Sequence, residues 1–488
     1  MKSSDLHADI AFESINYTGE WWVPGMQGQK CFGTLYVTPK ENLQKLVLLG
    51  TFEGNAFQMW MKYPIIQGRV SKGSGITIFD AICIGKSTSL NTSDLSETTI
   101  SFSEMWIGPG FFECQDDIKL EKISFGINNL GQWHNQQSFK YEHQDNSMKY
   151  NHPEELFLYE DSLVRITLGY KYCTNISIEN ASFEQDARIY IKSKQGKLPF
   201  YGQQQSFQYY SNMIYSFFSL LIGISPFMYD CVGIAQSAVF TNGDFEQQEE
   251  AYARIWRRFL PKEMPKRITF MDIPFPYKAV QEHLRAIVSK YAERYAAIDG
   301  FGEFVFKLVN SQQIHQYDDS SLPEMFYLLE GLMKKLYKPE IIEQHKKLEP
   351  LDEFEEKRSQ ILTVCPLALK NWLNDKLYPY PIGKDIIAAA LPIAIGVFSF
   401  ITEEKYNQIF KYIKTTRDHY SHGVTDRIEN WELYIPVTMW IRQLITALIL
   451  QKSDCSMDMI KTCYKQNINT NELSQTLPML LSTMENKK

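Results

Sequence analysis

The stretch Lys405–Gly423, KYNQIFKYIKTTRDHYSHG, identifies the second half of this 488-residue chain as helical. Ile409, Ile413 and Arg417 recur at the spacing of one row along a helix, so the arginine continues a row of aliphatic side chains. Gly423 follows, and glycine commonly ends a helix. The pattern predicts a helix that is buried along one side and carries Arg417 at the rim of an interface or cleft.

Three residues of this stretch carry chemistry: Arg417, Asp418 and His422. A guanidinium is always charged, and its fork of donors matches phosphate oxygens. An imidazole titrates near neutral pH and can move the proton of a 2′-hydroxyl or of a leaving 5′-oxygen. A plain helix end with a surface arginine and a dipole-favoured histidine has the same spacing, so the context has to decide.

The flanking residues favour a phosphate site. Lys405, Lys411 and Lys414 precede Arg417, and no acidic residue lies between positions 405 and 417. A long apolar helix is predicted at Asn430–Leu450. A basic segment between two amphipathic helices can hold a phosphate, and Lys411 and Lys414 are the candidates for further RNA contacts.

The first two hundred residues read as β structure, with short β-branched or aromatic segments separated by turns. These segments are Lys30–Val37, Lys45–Phe52, Gly75–Ile84, Thr98–Met105, Leu120–Ile127, Ser162–Cys173 and Ala187–Ser193. Helical spacing follows at Glu246–Leu260, Tyr277–Ala296, Pro323–Tyr337, Leu367–Lys376, Ile386–Phe400, Glu403–Thr416 and Asn430–Gln451. The fold class is therefore predicted as α+β multidomain: a sandwich- or barrel-like N-terminal domain followed by an all-α C-terminal bundle.

Two segments carry a resemblance to known families. Thr415–Gly423 resembles the Arg-x4–6-His signature of HEPN domains, helical bundles that dimerise to form one metal-independent RNase site. The sequence GEWWVPG at Gly19–Gly25, with Gly33–Leu35 and Leu46–Phe52, resembles the N-terminal domain of ApeA-type anti-phage proteins. The resemblance implies an N-terminal sensor or regulatory domain at 1–200, a helical connecting region at 201–300 and a HEPN bundle at 301–475.

The resemblance also implies a function. It implies an abortive-infection endoribonuclease that cuts RNA, with tRNA as one candidate, and that forms a homodimer through the HEPN domain. The N-terminal domain would restrain the nuclease and sense a phage-derived trigger. His422 would act as general base or acid, Arg417 would stabilise the phosphorane, and Asp418 would orient one of them or fix a contact across the dimer. Family members often carry Asn at that position, so Asp418 adds a negative charge beside the phosphate.

Several readings stay open at this point. A non-catalytic HEPN module that serves as a dimerisation scaffold or sensor has the same helices, and a ligand-binding β domain with a purely structural helical half is a third possibility. Glu330 lies in an apolar helix, where it either orients Arg417 or His422 as a supporting acid or pairs with Lys334 one turn on. His419 is about 200° round the helix from Arg417 and is expected to point away from it.

Composition narrows the function classes. The net charge of −7 and pI near 5.8 argue against general coating of nucleic acid and leave positions 405–417 as the local basic patch. Eight scattered cysteines without a CxxC pair, and a start without a secretory signal, predict a cytoplasmic protein with free thiols.

The apolar runs Ile386–Ile401 and Met213–Tyr229 are short and contain proline, so they predict core helices and no membrane contact.

Two apparent sites are set aside. Gly85-Lys86-Ser87 ends like a phosphate-binding loop, but Asp80 stands where the first glycine of that loop belongs. His134, His143 and His152 recur every nine residues in polar surroundings, which is not the close spacing of zinc ligands. No metal and no cofactor are predicted.

Overall fold

A computed structural model describes residues 14–26, 28–38, 41, 43–52, 60–70, 75–88, 96–108, 111–136, 138–142, 147–150, 153–176, 181–223, 227–242, 245–257, 268–310, 321–348, 351–376, 383–422 and 430–485. The chain forms two compact units. Unit 1 contains residues 1–218 and 226–268, and unit 2 contains residues 219–225 and 269–488.

Six antiparallel strands of unit 1 close into a barrel. They are Ile15–Trp22 (β1), Cys31–Thr38 (β2), Leu43–Leu49 (β3), Lys62–Val70 (β4), Gly75–Thr88 (β5) and Ser96–Ser101 (β6). The order is β4-β1-β2-β3-β6, and β5 pairs with both β4 and β6, which closes the ring. Closure removes the free sheet edges that would otherwise be open to pairing with another chain. The barrel-like domain predicted from the short strands is confirmed.

The barrel interior follows from the alternation of each strand. Along β2, every second residue from Cys31 to Val37 is buried, and the alternate residues Phe32, Thr34 and Tyr36 reach the surface. Trp21 fills the centre and is fully buried. Gly68 lies against its indole, where a Cβ would come within 2.1 Å of the ring, so only glycine fits at this position.

Strand β5 connects the barrel to a larger sheet. Its residues Gly75–Phe79 pair with Glu104–Gly108 (β7), whereas its second half, from Ile82 onward, pairs with β6, with a shift in register between Cys83 and Gly85. Asp80 lies between the two halves with φ of 51°, a left-handed conformation that bends the strand. Strand β5 therefore has three neighbours: β4 on one side, and β7 followed by β6 on the other.

The remainder of unit 1 is an antiparallel sheet in the order β12-β13-β14-β9-β16-β17-β7. Its strands, with two small two-stranded sheets, are Lys119–Leu120 (β8), Lys122–Ile127 (β9), Phe139–Glu142 (β10), Ser147–Tyr150 (β11), Leu156–Glu160 (β12), Val164–Ile176 (β13), Ala181–Ser193 (β14), Leu198–Pro199 (β15), Met228–Asn242 (β16) and Phe245–Arg257 (β17). The helices Leu130–His134 (α1) and Phe207–Ile222 (α2) accompany it, and the boundary between the units falls inside α2.

Unit 2 is helical and is built around one apolar helix. Its helices are Tyr277–Val280 (α3), Leu284–Ala297 (α4), Phe301–Asn310 (α5), Ser321–Leu336 (α6), Lys338–Leu348 (α7), Leu351–Val364 (α8), Leu367–Lys376 (α9), Gly383–Val397 (α10), Glu403–His422 (α11), Tyr434–Lys452 (α12), Met457–Gln466 (α13) and Ile468–Glu485 (α14). Helix α12 packs against α6, α10, α13 and α14. The segment Trp431–Lys452 is long and apolar enough to cross a membrane, but 78% of its most apolar window is buried inside the fold, as in a core helix.

One predicted helix is wrong. The spacing of Glu246–Leu260 predicts a helix, but Phe245–Arg257 is strand β17. It pairs with β16 from Asn242↔Phe245 to Cys231↔Ile255, so a long hairpin overrides the helix propensity of its residues. The region 201–300 therefore contains strands as well as helices, and the strands belong to unit 1. The domain boundaries predicted at residues 200 and 300 remain predictions.

The two apolar runs differ in outcome as well. Ile386–Ile401 falls largely in α10, where Ile386, Ala390 and Ala394 are buried. Met213–Tyr229 is helix only as far as Ile222, and strand β16 begins at Met228.

Candidate active site

Helix α11 has the buried side that its spacing predicts. Ile409 and Ile413 are 0% and 1% exposed, whereas the Arg417 side chain on the same row is 29% exposed. Arg417 thus lies at the rim of the helical core, with its stem among packed side chains and its head near solvent.

An aromatic ring from another helix supports the Arg417 guanidinium. The Arg417 Cζ lies 5.6 Å from the centre of the Phe326 ring on α6, which is cation–π geometry. Phe326 is 4% exposed, and Phe410 of α11 lies edge-on to it with the ring centres 6.3 Å apart. The guanidinium therefore lies over a buried ring, which limits the rotamers that Arg417 can adopt.

Asp418 holds one edge of the same guanidinium. Arg417 Nε and Nη2 donate to Asp418 Oδ1 at 3.1 and 2.8 Å. Among the described residues the guanidinium has no other hydrogen-bond acceptor, and its remaining N–H groups are donors of the kind that bind phosphate oxygens. The carboxylate orients the arginine and at the same time offsets its charge.

The position of the histidine is only partly described. His422 is the last residue of α11, but its side chain and residues 423–429 lie outside the described part of the chain. The approach of its imidazole to Arg417 therefore remains a prediction. His419 is half-buried and edge-on to Tyr420 at 5.2 Å, and its buried Nδ1 has no hydrogen-bond partner among the described residues.

The two candidate RNA-contacting lysines are exposed on α11. Lys411 and Lys414 lie three residues apart and continue to Asp418 along one row of the helix, so they form a basic edge that leads to the Arg417–Asp418 pair. Phosphates of a bound strand could follow this edge, because exposed lysines neutralise phosphate without ordered geometry.

Glu330 has the simpler of its two expected contacts. It lies one turn after Phe326 on α6, and its Oε1 accepts a hydrogen bond from Lys334 at 3.2 Å. No contact between Glu330 and Arg417 is found in the described part of the chain. A supporting role towards His422 remains a prediction, because that side chain is not described.

A second histidine–carboxylate pair lies elsewhere in unit 2. His345 Nδ1 of α7 is 2.9 Å from Asp385 Oδ2 of α10, and the two residues are 7% and 0% exposed. The sequence reasoning did not single out this pair, and its burial keeps a polymeric substrate from reaching it. It joins two helices of the bundle.

The structure explains the two apparent sites that the sequence analysis set aside. Gly85, Lys86 and Ser87 lie inside strand β5. The His134 ring is hydrogen-bonded to the Tyr170 hydroxyl at 2.6 Å, and burial lowers the pKa of His134 to about 4, so it is neutral at neutral pH. His143 and His152 lie outside the described residues. Among the residues that are described, no three His, Cys, Asp or Glu side chains converge as metal ligands.

Sequence reasoning missed Phe326. In the sequence it is one more apolar residue of the row Leu322, Phe326 and Leu329. No local pattern marks it as the partner of an arginine on a helix that is distant in sequence. Only the packing of α6 against α11 reveals that role.

Two family models match the chain. The model for ApeA N-terminal domain 1 matches residues 16–291, and the model for Apea-like HEPN matches residues 324–458. The second match contains Phe326, Glu330 and the whole of α11. Comparisons with curated proteins and with solved structures find no match.

Proposed function

The chain belongs to the ApeA-type family of defence proteins, which joins an ApeA N-terminal domain to a HEPN domain, and from this we propose that its HEPN domain is an endoribonuclease. The observation that carries the proposal is the Arg417 guanidinium, which is fixed by Phe326 and Asp418 and keeps donors available on the helix that ends at His422. Such a preorganised cation matches the charge that develops on a phosphorane.

The proposed reaction is transesterification that uses the substrate's own 2′-hydroxyl. A base, assigned to His422, takes the 2′-hydroxyl proton while the 2′-oxygen attacks the adjacent phosphorus. The bond to the 5′-oxygen breaks, and that oxygen receives a proton from an acid, again assigned to His422 or to its copy in a second protomer. The products are a 2′,3′-cyclic phosphate and a 5′-hydroxyl. Arg417 would stabilise the equatorial oxygens in the transition state.

The proposed assembly is a homodimer that brings two Arg417–His422 motifs together. HEPN domains typically dimerise and act on RNA, and the proposal extends this to tRNA as a candidate substrate. We further propose a cytoplasmic protein that acts in abortive infection and is released by a phage-derived trigger sensed through its N-terminal half. A strictly monomeric mass, measured by light scattering at micromolar concentration, would contradict a site built from the motifs of two protomers.

The contact between Arg417 and Asp418 favours a second candidate function. The carboxylate already occupies the Nε/Nη2 edge of the guanidinium and offsets its charge, which is compatible with a non-catalytic HEPN scaffold or sensor. Phosphate binding at Arg417 would then be weak, and the helices would serve assembly alone.

RNA cleavage in the presence of EDTA separates the two candidates. The purified full chain is incubated with total tRNA and a chelator, beside the His422→Ala variant. We expect the wild type to cut RNA to cyclic-phosphate ends, and we expect His422→Ala to lose cutting with nearly unchanged thermal stability. If His422→Ala cuts RNA at the wild-type rate, the site assignment is wrong. Intact RNA in both samples favours the scaffold or an enzyme that its N-terminal half holds silent.

A further inference from the structure

A solvent-exposed tryptophan stands beside helix α11, which carries Arg417. Trp431 is 49% exposed and opens the 3₁₀ turn Trp431–Leu433 that leads into α12. The residue before it, Asn430, has φ of 60° and accepts a hydrogen bond from the Tyr412 hydroxyl of α11 at 3.4 Å. This contact places Trp431 next to the helix that carries Arg417.

The Trp431 ring is fixed from behind. It stacks on Tyr434 with ring centres 4.7 Å apart and an interplanar angle of 19°. Tyr434 is 0% exposed, and its hydroxyl accepts the backbone N–H of Leu322, at the start of α6, at 2.9 Å. One indole face is therefore covered by an anchored ring, which leaves the opposite face for a ligand.

Helix α6 links this ring to the Arg417 guanidinium. Leu322 holds Tyr434, and Phe326, four residues later on the same helix, lies under Arg417. One helical turn separates the two anchoring points, about 6 Å of rise.

We infer that Trp431 is a stacking platform for one base of an unpaired RNA segment whose phosphate lies at Arg417. Half-exposed aromatic rings beside basic residues are the usual means by which proteins bind single strands, since every base has a π-face. Glu432 is exposed beside the ring, which favours contact with a neutral base over contact with a phosphate. The inference rests on the proposed function, since it names the class of RNA that the site takes.

The test uses RNA that cannot be cut. A labelled single-stranded RNA of about twelve nucleotides, with 2′-O-methyl groups throughout, lacks the attacking hydroxyl, so affinity is measured by fluorescence anisotropy without turnover. We expect Trp431→Ala in the full chain to weaken binding by about tenfold or more and Trp431→Phe to stay close to the wild type. The matched control is Trp372→Ala, because Trp372 is 60% exposed on α9 of the same unit. It is expected to change nothing.

A single abasic position, moved along the same RNA, identifies the stacked base. At one position, the abasic RNA should bind the wild type as weakly as intact RNA binds Trp431→Ala. The affinity of Trp431→Ala should be the same for this abasic RNA as for intact RNA. Failure of the wild type to bind, equal affinity of wild type and Trp431→Ala, or an abasic loss that persists in the variant overturns the inference. A lower assembly mass of Trp431→Ala with unchanged RNA affinity also overturns it, because the ring then contacts protein.

Cleavage of unmodified RNA by the same proteins keeps the two proposals apart. If the chain binds RNA through Trp431 but does not cut it, the platform is supported, and either the scaffold or a restrained nuclease accounts for the missing cleavage. A chain that loses cutting on His422→Ala and binds equally well with Trp431→Ala retains the nuclease and loses the platform.

Discussion

At the scale of single residues, the site depends on how one cation is held. Phe326 supplies a ring face for Arg417, and Asp418 supplies an acceptor for one edge. The first contact leaves the charge of the guanidinium intact, whereas the second partly neutralises it. The ring therefore orients the arginine without weakening its attraction for phosphate.

Replacing Phe326 should test this role. Phe326→Leu keeps an apolar side chain but removes the π-face, and we expect kcat/KM for RNA cleavage to fall roughly two- to fivefold. Phe326→Tyr keeps the ring and should retain activity. The matched control is Phe410→Leu: Phe410 is also 4% exposed and packs on Phe326, but Arg417 has no ring contact with it in the described part of the chain.

Rates are compared at temperatures where all three variants are folded, as checked by circular dichroism. Equal losses in Phe326→Leu and Phe410→Leu would mean that the ring acts through general packing. The role assigned to its face would then be wrong.

At the scale of elements, the helices of unit 2 differ sharply in burial. Helix α12 buries twelve of its residues, including Trp440, Ile441 and Leu444. In α8 and α9 no residue with a described side chain is buried, and Val364, Leu367 and Trp372 are 83%, 87% and 60% exposed. An isolated helix of this length is marginal in water, because packing supplies most of its stability.

Hydrogen exchange should show this difference. We expect amides of α8 and α9 to exchange through local opening, orders of magnitude faster than those of α12, which should open only with global unfolding. Mass spectrometry of peptic peptides from the full chain measures both in one experiment. Protection of α8 and α9 that equals that of α12 would contradict the expectation and would mean that a further surface covers them.

At the scale of the whole molecule, the two units are not two consecutive pieces of chain. The chain leaves unit 1 inside α2, returns for β16 and β17, and enters unit 2 again at Thr269. A cut near residue 205 would leave two long strands, Met228–Asn242 and Phe245–Arg257, attached to the helical unit without their sheet. A cut at residue 269 keeps all of unit 2 except residues 219–225 and leaves no strand of unit 1 attached.

Removal of unit 1 should release the proposed nuclease. If the N-terminal half restrains the HEPN half, residues 269–488 should slow the growth of an expressing cell more than the whole chain does, and His422→Ala in the same fragment should relieve the effect. Growth curves are compared at matched expression, with folding of the fragment shown by circular dichroism. A folded fragment that is tolerated as well as the whole chain would remove the inhibitory role.

The sequence by itself determined the two fold classes, the buried row of α11 and the rim position of Arg417. These features depend on the strand period of two residues and the helix period of about 3.6 residues, and both are visible in short stretches of sequence. Its one clear error, at Phe245–Arg257, arose where pairing with the preceding strand β16 and with the distant strand β7 decided the conformation. Closure of the barrel by β5 likewise needs pairings with both β4 and β6.

Only the tertiary structure placed Phe326 under Arg417 and fixed Tyr434 behind Trp431. The bond from Leu322 to Tyr434 joins residues 112 positions apart, and no local period encodes such a contact. Which apolar residue of a row meets a given partner is decided by the packing of α6, α11 and α12 against one another. The residues proposed to carry the chemistry could therefore be predicted from the sequence. The aromatic ring that orients Arg417, and the one proposed to bind a base, could not.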